Sequence, residues 1–331
     1  MPTRLACLSP FSEEMVRAQL LPGREVEVVL VPDPPALDAV REAAAGADLV
    51  LADKRHKHRL DAETLGLMSR CRLIQVPAVG FDAVDHRAAA EHGIPVANCA
   101  GYNRDAVADW TVMAMLNLVR QGAFGDRHMR AGDWPHQRMR GRELGAMTVG
   151  IVGLGNTGGA VAMRLRAFGC RLLFADLIPR SLSGAVQVPL TQLLEEAEIV
   201  TVHVPLDRDT RGLLDAEALG RMKAGAYLVN ASRGPVVDEA ALVAALDTGH
   251  LAGVGLDVFE YEPLAAESPL RALENVFLSP HIGGLTAEAE ARALATCAAN
   301  MGRVLDGLEP FNVVNNPLPG PPRKGEGARI L

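Results

Sequence analysis

The sequence predicts an α/β protein of two domains built on parallel sheets, and three observations support this prediction. The chain has 331 residues, the length of two domains of ordinary size. Short apolar runs alternate with amphipathic segments along most of it. Hydrophobic residues make up 49% of the chain but aromatic residues only 4%, so the cores must be built mainly from Ala, Val, Leu and Ile. Such a composition suits buried parallel sheets that are covered by helices.

The first half of the chain predicts a small sheet followed by a long buried helix. Strands are expected at Val26–Val31, Asp48–Ala52, Leu73–Val76 and Val96–Ala97, and helices at Ala36–Ala45 and Asp61–Arg70. The segment Asp105–Leu118 is too apolar for a surface helix, and a polar stretch follows it from Arg120 to Leu144.

The second half predicts a complete doubly wound sheet of six strands. The strands are expected at Thr148–Val152, Arg171–Ala175, Ile199–Val204, Ala226–Asn230, Gly253–Asp257 and Val276–Ser279. A last long helix is predicted at Ala287–Leu305, and a tail rich in Pro and Gly is expected to be disordered from Pro319.

Charge and cysteine content argue against several classes of protein. The formal net charge of −7 gives no general attraction to nucleic acid or to an anionic membrane. No apolar run is long enough for a membrane span, and the N-terminus does not resemble a signal peptide. The five cysteines are scattered and never in a CxxC spacing, which indicates free thiols in a reducing compartment and no metal site. We therefore expect a cytoplasmic protein.

A glycine turn follows the predicted strand Thr148–Val152. Its pattern is Gly153-x-Gly155-x-x-Gly158, in which the first glycine permits a tight turn, the second admits a pyrophosphate and the third allows close packing of helix and strand. The next predicted strand ends in Asp176, an acid placed to bind the ribose hydroxyl and to repel a 2′-phosphate. The sequence thus predicts NAD as the cofactor, although the nearby Arg180 could weaken the preference over NADP.

Three segments follow strands of the same predicted sheet, at the ends where open α/β sheets bind ligands. Arg233 can hold a carboxylate in a bidentate grip. His281 can donate and accept a proton near neutral pH, and Glu262 can orient its imidazole. Each residue alone is commonly structural. The three together, behind a dinucleotide turn, favour hydride transfer to a 2-oxo acid.

These segments, with the glycine turn and the run Val204–Gly212, resemble the D-isomer-specific 2-hydroxyacid dehydrogenases from about Leu73 to Asn315. The resemblance implies that Arg233, Glu262 and His281 are the catalytic set. In reduction, NADH would pass a hydride to the carbonyl carbon while His281 protonates the oxygen. The D configuration of the product rests on this resemblance alone.

The resemblance also implies the domain plan. A Rossmann-type NAD-binding domain, residues 100–285, would be inserted into a smaller flavodoxin-like α/β substrate domain made of residues 1–99 and 286–318, followed by the disordered tail 319–331. The two long helices would cross between the domains.

The predicted cofactor-binding residues come from the turn, from the acid after it and from later strand ends. They are Gly153, Gly155, Asn156, Thr157, Gly158, Asp176, His203, Val204, Pro205, Thr210, Ala231, Ser232, Asp257 and Gly283. Among them, His203 is expected to form a wall of the cofactor site and not to act as a second base.

The predicted substrate-binding residues are fewer. Val79 and Gly80 lie in a segment that resembles the family's carboxylate-binding loop, although it is also consistent with a plain turn. Asn103 matches a position near the cleft hinge. Asp109 stands where the family usually has Glu, which leaves its role open. Lys54 opens a basic run that is either a solvated loop or a site for a second acidic group of the substrate.

The sequence restricts the oligomeric state and the substrate class but does not identify the substrate. The segment with Trp134 resembles the family's dimer-forming arm, so we expect a homodimer in which this indole packs at the interface or enters the neighbour's pocket. The substrate would be a small 2-oxo or 2-hydroxy acid, as for a glyoxylate or hydroxypyruvate reductase or a 3-phosphoglycerate dehydrogenase-like enzyme. Glu262 and Val79 argue against formate and phosphite dehydrogenases. The alternative is an NAD(H)-sensing binding protein of corepressor type.

Overall fold

The computed structural model describes residues 2–32, 36–55 and 57–317. The tail that was predicted to be disordered from Pro319 lies outside these residues. The chain divides into two compact units, one of Met1–Asn103 with Ala287–Leu331 and one of Arg104–Thr286. Each unit is an α/β layer structure around its own parallel sheet.

Unit 1 contains a five-stranded parallel sheet in the order β2-β1-β3-β4-β5. Its strands are β1 Thr3–Cys7, β2 Val26–Leu30, β3 Leu49–Leu51, β4 Leu73–Gln75 and β5 Val96–Ala97. Four of the five were predicted from the sequence. The prediction missed β1, whose first residues are polar and whose strand character comes from its parallel pairing with both β2 and β3.

The helices of unit 1 cover this sheet. They are α1 Glu13–Met15, which continues as a π-helical turn at Val16–Leu20, then α2 Leu37–Ala45, α3 Ala62–Gly66, α4 His86–Glu91 and, from the end of the chain, α11 Ala287–Leu305. The prediction of a helix over Asp61–Arg70 was too long, because α3 ends at Gly66, a residue of low helix propensity. Helix α11 begins and ends where the sequence predicted.

Unit 2 contains a seven-stranded parallel sheet in the order β12-β11-β10-β9-β6-β7-β8. Its strands are β6 Thr148–Val152, β7 Arg171–Ala175, β8 Ala185–Gln187, β9 Ile199–Val202, β10 Ala226–Asn230, β11 Leu251–Leu256 and β12 Val276–Leu278. The predicted six are present. The seventh, β8, is a half-exposed edge strand that lacks the apolar signal of the others.

Unit 2 also contains α-helices, several of which pack against this sheet. They are α5 Arg104–Arg120, α6 Gly122–Arg130, α7 Asn156–Phe168, α8 Leu190–Glu196, α9 Ala216–Arg221 and α10 Glu239–Asp247. Most residues of α5 are buried, as its apolar sequence predicted. The sequence analysis described residues 120–144 only as a polar stretch, and the structure shows that this stretch contains helix α6. That helix starts after Gln121 turns the backbone into the left-handed region, with φ 53°, and Asn117 Oδ1 accepts the N–H of Ala123 at 2.6 Å.

The register of the sheet in unit 2 brings separate segments to one edge. Val152 at the end of β6 is level with Ala175 of β7 and with Val202 of β9. Asn230 of β10 is level with Leu256 of β11, which is level with Leu278 of β12. The strand order reverses at β6, so the residues that follow these strands surround a topological switch point, where open α/β sheets bind ligands.

The cysteines agree with the sequence expectation. All five cysteines are buried free thiols. Within the part of the chain that the structure describes, no helix is both long enough and apolar enough to cross a membrane.

Candidate active site

The turn after β6 requires glycine at two positions for steric reasons. Gly153 has a φ of 89°, and a Cβ there would stand 2.9 Å from the carbonyl oxygen of His203. A Cβ on Gly158 would stand 2.0 Å from the carbonyl oxygen of Gly153. The first glycine therefore lets the turn pass close to the end of β9, and the third lets α7 pack against the turn.

The middle glycine of the turn faces open space. Apart from its chain neighbours, no heavy atom of the described residues lies within 4 Å of an ideal Cβ on Gly155. Gly155 is also the N-cap of α7, and no side chain within the described ranges caps this helix end by a hydrogen bond. A helix N-terminus of this kind attracts anions through its N–H groups and its dipole. The turn therefore fits the pyrophosphate of a dinucleotide.

Asp176 follows β7 directly beside this turn. Its Oδ2 accepts the N–H of Leu154 at 2.9 Å and the Nε–H of Arg180 at 2.9 Å. Partial burial raises the pKa of Asp176, but the N–H groups of Ile178 and Leu154 and the guanidinium of Arg180 outweigh it and hold the pKa below its ordinary value. The carboxylate is therefore charged at the turn, and Arg180 is paired with it.

The segment after β9 forms a wall next to Gly153. The side chain of Val204 lies 2.9 Å from the position of a Cβ on that glycine. Thr210 fixes the loop, because its hydroxyl donates to the carbonyl oxygen of Pro205 at 2.6 Å and accepts the N–H of Asp207 at 2.8 Å. Burial lowers the pKa of His203 to about 3. Its imidazole is therefore neutral in the range where proton transfer would occur, which fits a wall better than a base.

A buried asparagine shapes the turn that carries Arg233. Asn230 Oδ1 accepts the N–H of Ser232 at 3.0 Å, and its Nδ2 donates to the carbonyl oxygen of Arg233 at 3.0 Å. The guanidinium in turn donates to the carbonyl oxygen of Ser232 at 2.8 Å. Ala231 and Ser232 form the bend itself, half-buried at the end of β10.

The residue after Arg233 must be glycine for this turn to meet the next loop. A Cβ on Gly234 would stand 1.9 Å from the carbonyl oxygen of Phe259. This close backbone contact brings Arg233 near the loop that carries Glu262, whose pKa is lowered in part by the charge of that guanidinium. The sequence pattern contained the glycine, but its role as a contact between two loops became visible only in the structure.

His281 and Glu262 form a hydrogen-bonded pair. The imidazole Nδ1 lies 2.7 Å from Glu262 Oε2, while Glu262 Oε1 accepts the N–H of Phe259 at 3.1 Å. Partial burial raises the pKa of Glu262, but the hydrogen bond and charge of His281, the Phe259 N–H and the charge of Arg233 outweigh it and keep the pKa below its ordinary value. The carboxylate is thus ionised and fixes one ring nitrogen of the histidine.

A cavity of about 540 Å³ lies beside this pair in unit 2. Both side chains of the pair line it, together with the apolar residues Phe259, Leu264 and Leu278. The side chains of His281 and Glu262 are 47% and 36% exposed, so the pair is open to a small molecule.

Asp257, predicted as a cofactor-binding residue, makes its hydrogen bonds with the loop that carries His281. Its Oδ1 accepts the hydroxyl of Ser279 at 2.5 Å and the N–H of Ile282 at 2.8 Å, and its Oδ2 accepts the N–H of Gly283 at 2.7 Å. The sequence interpretation placed Ser279 at the end of a strand but did not name it as a site residue. The signal that could have found it is a hydroxyl two residues before the histidine that was predicted to be catalytic.

The predicted substrate-binding residues lie in unit 1. The loop at Val79 is fixed by a hydrogen bond, in which the carbonyl oxygen of Val79 accepts the Nδ2–H of Asn98 at 2.7 Å. The next residue, Gly80, is half-buried. Asn103 is half-buried at the end of the unit's first segment. Lys54 is paired with Glu290 at 3.0 Å and lies 5.0 Å from the centre of the Phe11 ring.

The open question about Asp109 has a structural answer. In unit 2, the Nε–H of Arg164 donates to its carboxylate at 2.6 Å. Asp109 therefore pairs α5 with α7.

Comparison with known proteins identifies the family. Residues 112–283 match the family model described as D-isomer specific 2-hydroxyacid dehydrogenase, NAD binding domain. A glyoxylate reductase from Korarchaeum cryptofilum is 40% identical over 264 residues, which are 77% of this chain and 80% of that protein. A D-3-phosphoglycerate dehydrogenase from Archaeoglobus fulgidus is 34% identical over 312 residues, which are 93% of this chain but only 58% of that protein.

A solved structure has the same fold. The TT0316 protein from Thermus thermophilus superposes with a TM-score of 0.84 at 35% identity, covering 94% of this chain and all of that one. These relatives confirm the predicted fold class, and the matched family confirms NAD as the cofactor. The chain therefore belongs to the D-isomer-specific 2-hydroxyacid dehydrogenases and is an NAD-dependent oxidoreductase that acts on the CH–OH group of a hydroxy acid.

Proposed function

We propose that the chain reduces a small 2-oxo acid to its D-2-hydroxy acid, with His281 as the proton donor, Glu262 as its partner and Arg233 as the carboxylate-binding residue. The observation that carries the proposal is the 2.7 Å contact between His281 and Glu262, at a strand end next to the loop of Arg233. The alternative of an NAD(H) sensor has no comparable support, since such a protein needs no oriented proton donor.

The proposed proton transfer depends on which ring nitrogen of His281 is hydrogen-bonded to Glu262. Because Nδ1 of His281 bonds to an ionised carboxylate, Nε2 is the ring nitrogen that is left to face a substrate oxygen. During reduction the carbonyl carbon receives a hydride and its oxygen receives the proton from Nε2, which gives the hydroxy acid and a neutral imidazole. Glu262 stays ionised and stabilises the imidazolium before the transfer.

The guanidinium of Arg233 would hold the substrate through two parallel hydrogen bonds to the substrate carboxylate. These bonds also withdraw electron density from the neighbouring carbonyl of the substrate. The N–H groups of the loop at Val79 and Gly80 are proposed as a second carboxylate contact. Asn103 is proposed as a residue at the edge of the substrate site.

NADH, when bound, would supply the hydride. We propose that its pyrophosphate is held at Gly153, Gly155, Asn156, Thr157 and Gly158 and its adenosine ribose by Asp176. The remaining contacts are assigned to the walls of the site, at His203, Val204, Pro205, Thr210, Ala231, Ser232, Asp257 and Gly283.

Glyoxylate and hydroxypyruvate are the first substrates to consider. The glyoxylate reductase of K. cryptofilum matches this chain over 80% of its own length, whereas the chain spans little more than half of the phosphoglycerate dehydrogenases. A substrate with a second acidic group is the second candidate, because Lys54 and Arg55 provide positive charge in unit 1.

We further propose a cytoplasmic homodimer. The indole of Trp134 is 74% exposed on the segment between α6 and β6, and Met129 on α6 is 50% exposed. Exposed apolar side chains clustered on one segment favour a protein interface.

The test is oxidation of NADH and NADPH by the purified protein with glyoxylate, hydroxypyruvate, pyruvate, phenylpyruvate, oxaloacetate and a phosphorylated 2-oxo acid. Turnover with NADH supports the proposal and ranks the substrates. His281→Ala is expected to lower kcat by at least about 100-fold while NADH still binds. Near-normal turnover of this variant would remove His281 from the mechanism, and tight NADH binding without any turnover would favour the sensor.

A further inference from the structure

The loop that leaves β7 carries the two charged residues that are proposed to govern the choice of cofactor. Its first five residues run from Asp176 to Arg180, and residues 177–180 are exposed. An exposed loop of irregular backbone keeps one conformation only where other groups bind its N–H and carbonyl groups. The groups that bind residues 176–180 therefore decide where the two charged side chains lie.

The side chain of Gln187 makes three such contacts. Its Nε2 donates to the carbonyl oxygen of Asp176 at 3.2 Å and to that of Ile178 at 3.0 Å, and its Oε1 accepts the N–H of Arg180 at 2.9 Å. Gln187 is the last residue of β8 and is level with Phe174 of the neighbouring strand β7. One side chain on the edge strand thus binds the main chain of residues 176–180 at its start, middle and end.

The chemistry of these contacts requires a carboxamide at position 187. Two carbonyl oxygens need donors and one N–H needs an acceptor, and a carboxamide offers two donors and an acceptor on one planar group. The orientation of the amide follows from the same argument, because turning it over would point its oxygen at two carbonyl oxygens. A side chain of similar size without these groups would leave all three main-chain contacts unmade.

The carboxylate of Asp176 connects the same loop to the glycine turn. Its Oδ2 accepts the N–H of Leu154, and its Oδ1 accepts the N–H of Ile178 at 3.2 Å. The main chain of the loop is thus bound by Gln187 from β8, and its first side chain is bound to the turn that fits a pyrophosphate. If the contacts of Gln187 are lost, the main chain of Asp176 can move and its carboxylate can leave the turn.

We propose that Gln187 is a positioning residue for cofactor selection: its carboxamide fixes the main chain of residues 176–180 and so holds the carboxylate of Asp176 where it binds the adenosine ribose and repels a 2′-phosphate. The inference rests on the proposed contact between Asp176 and the ribose. It gives a role to β8, the strand of unit 2 that the sequence did not predict.

The test compares Gln187→Met, Asp176→Ala and the double variant Asp176→Ala/Gln187→Met. Met is close to Gln in length and volume but has no amide. Gln192→Met is the matched control, because Gln192 is an exposed glutamine on α8 whose amide donates to the side chain of Glu196 at 2.7 Å. Dissociation constants of NADH and NADPH are measured by fluorescence titration without a 2-oxo acid, and kcat and KM are measured for both cofactors with glyoxylate.

If the proposal is correct, Gln187→Met raises the dissociation constant of NADH by about tenfold, the loss expected for one hydrogen bond to a charged group. The constant of NADPH changes less, because a displaced carboxylate also repels the 2′-phosphate less, so the ratio of the NADPH to the NADH constant falls. The kcat at saturating NADH changes by less than about twofold, since the adenosine is remote from the hydride. In the double variant Gln187→Met adds less than about twofold to the effect of Asp176→Ala, because both changes act through one carboxylate.

An unchanged ratio of the two constants in Gln187→Met, effects that multiply in the double variant, or an equal response of Gln192→Met would overturn the positioning role. If Gln187→Met does not fold, Gln187→Ala decides by the same ratio. NADH affinity that is unchanged in Asp176→Ala overturns the proposed ribose contact itself, whereas a loss in Asp176→Ala with an unchanged ratio in Gln187→Met overturns only the role of Gln187. Turnover of the wild type tests the proposed reaction separately, because the binding constants do not depend on the substrate.

Discussion

Nδ1 of His281 lies 2.7 Å from Oε2 of Glu262, although the two residues are 19 positions apart in the chain. They follow neighbouring parallel strands, β12 and β11, and the level ends of these strands bring them together. The pair combines an imidazole, which can donate and accept a proton, with a carboxylate whose pKa is held below its ordinary value.

Glu262→Gln keeps the shape of the pair but removes its charge. The imidazolium then loses an anionic partner, which disfavours the protonated form of His281 that donates the proton. We expect the alkaline limb of reductive kcat/KM to move to lower pH and kcat to fall by roughly 10- to 100-fold. The measurement is the pH profile with glyoxylate and NADH. An alkaline limb at the wild-type position would show that Glu262 does not act on His281.

Two glycines of the turn are expected to respond in opposite ways to the same substitution. Gly155→Ala places its Cβ in open space, so the protein should keep its stability and lose NADH affinity by about tenfold or more. Gly158→Ala places its Cβ 2.0 Å from a carbonyl oxygen, so the free energy of unfolding should fall. Urea unfolding and NADH titration measure both. Equal stability of the two variants would contradict the packing described for Gly158.

The lowered pKa of His203 predicts how the free energy of unfolding depends on pH. Its pKa is lowered to about 3 in the folded chain, below the ordinary 6.5, so the unfolded chain binds the proton more readily. The contribution of neutral His203 to the free energy of unfolding is complete above pH 6.5 and is lost as the pH falls toward 3. Over this range the free energy of unfolding falls by at most about 1.4 kcal/mol per pH unit. His203→Asn should flatten this loss between pH 6.5 and pH 5 in urea unfolding. A variant with the same pH dependence as the wild type would refute a neutral His203 in the folded chain.

Arg180 is expected to affect the choice between NADH and NADPH. It pairs with Asp176 at 2.9 Å, beside the position proposed for the adenosine ribose. Arg180→Ala removes the positive charge that a 2′-phosphate would meet, so the KM for NADPH should rise by severalfold while that for NADH changes little. Asp176→Ala should have the opposite effect on the preference. If Arg180→Ala leaves the NADPH kinetics unchanged, Arg180 does not contribute to cofactor choice.

Lys54 is expected to matter only for substrates with two acidic groups. Lys54→Ala should lower kcat/KM for a phosphorylated 2-oxo acid relative to glyoxylate, because one positive charge is lost. Glu290→Gln is the matched variant, since it releases Lys54 from its ion pair at 3.0 Å and should shift the ratio the other way. Unchanged ratios in both variants would assign Lys54 a structural role in unit 1.

The helices and strands that could be predicted are those whose signal comes from residues close together in the chain. The period of apolar residues marked α11 at both ends, and it marked all the strands of unit 2 except the edge strand β8. Strand β1 was missed for the same reason, since its polar start gives little apolar signal and its place in the sheet depends on pairing with β2 and β3.

The order of the chemical groups can be read from the amino-acid sequence alone: a glycine turn, an acid after the next strand, and then Arg233, Glu262 and His281 at later strand ends. These features are readable because backbone conformation at glycine and strand periodicity depend on neighbouring residues. Which groups are charged, paired or fixed depends instead on how the chain packs. The neutrality of His203, the ion pair of Asp176 and the loop contacts of Asp257 arise from burial and from atoms distant in the chain. No local pattern records such effects, because they exist only once the strands and loops have been brought together.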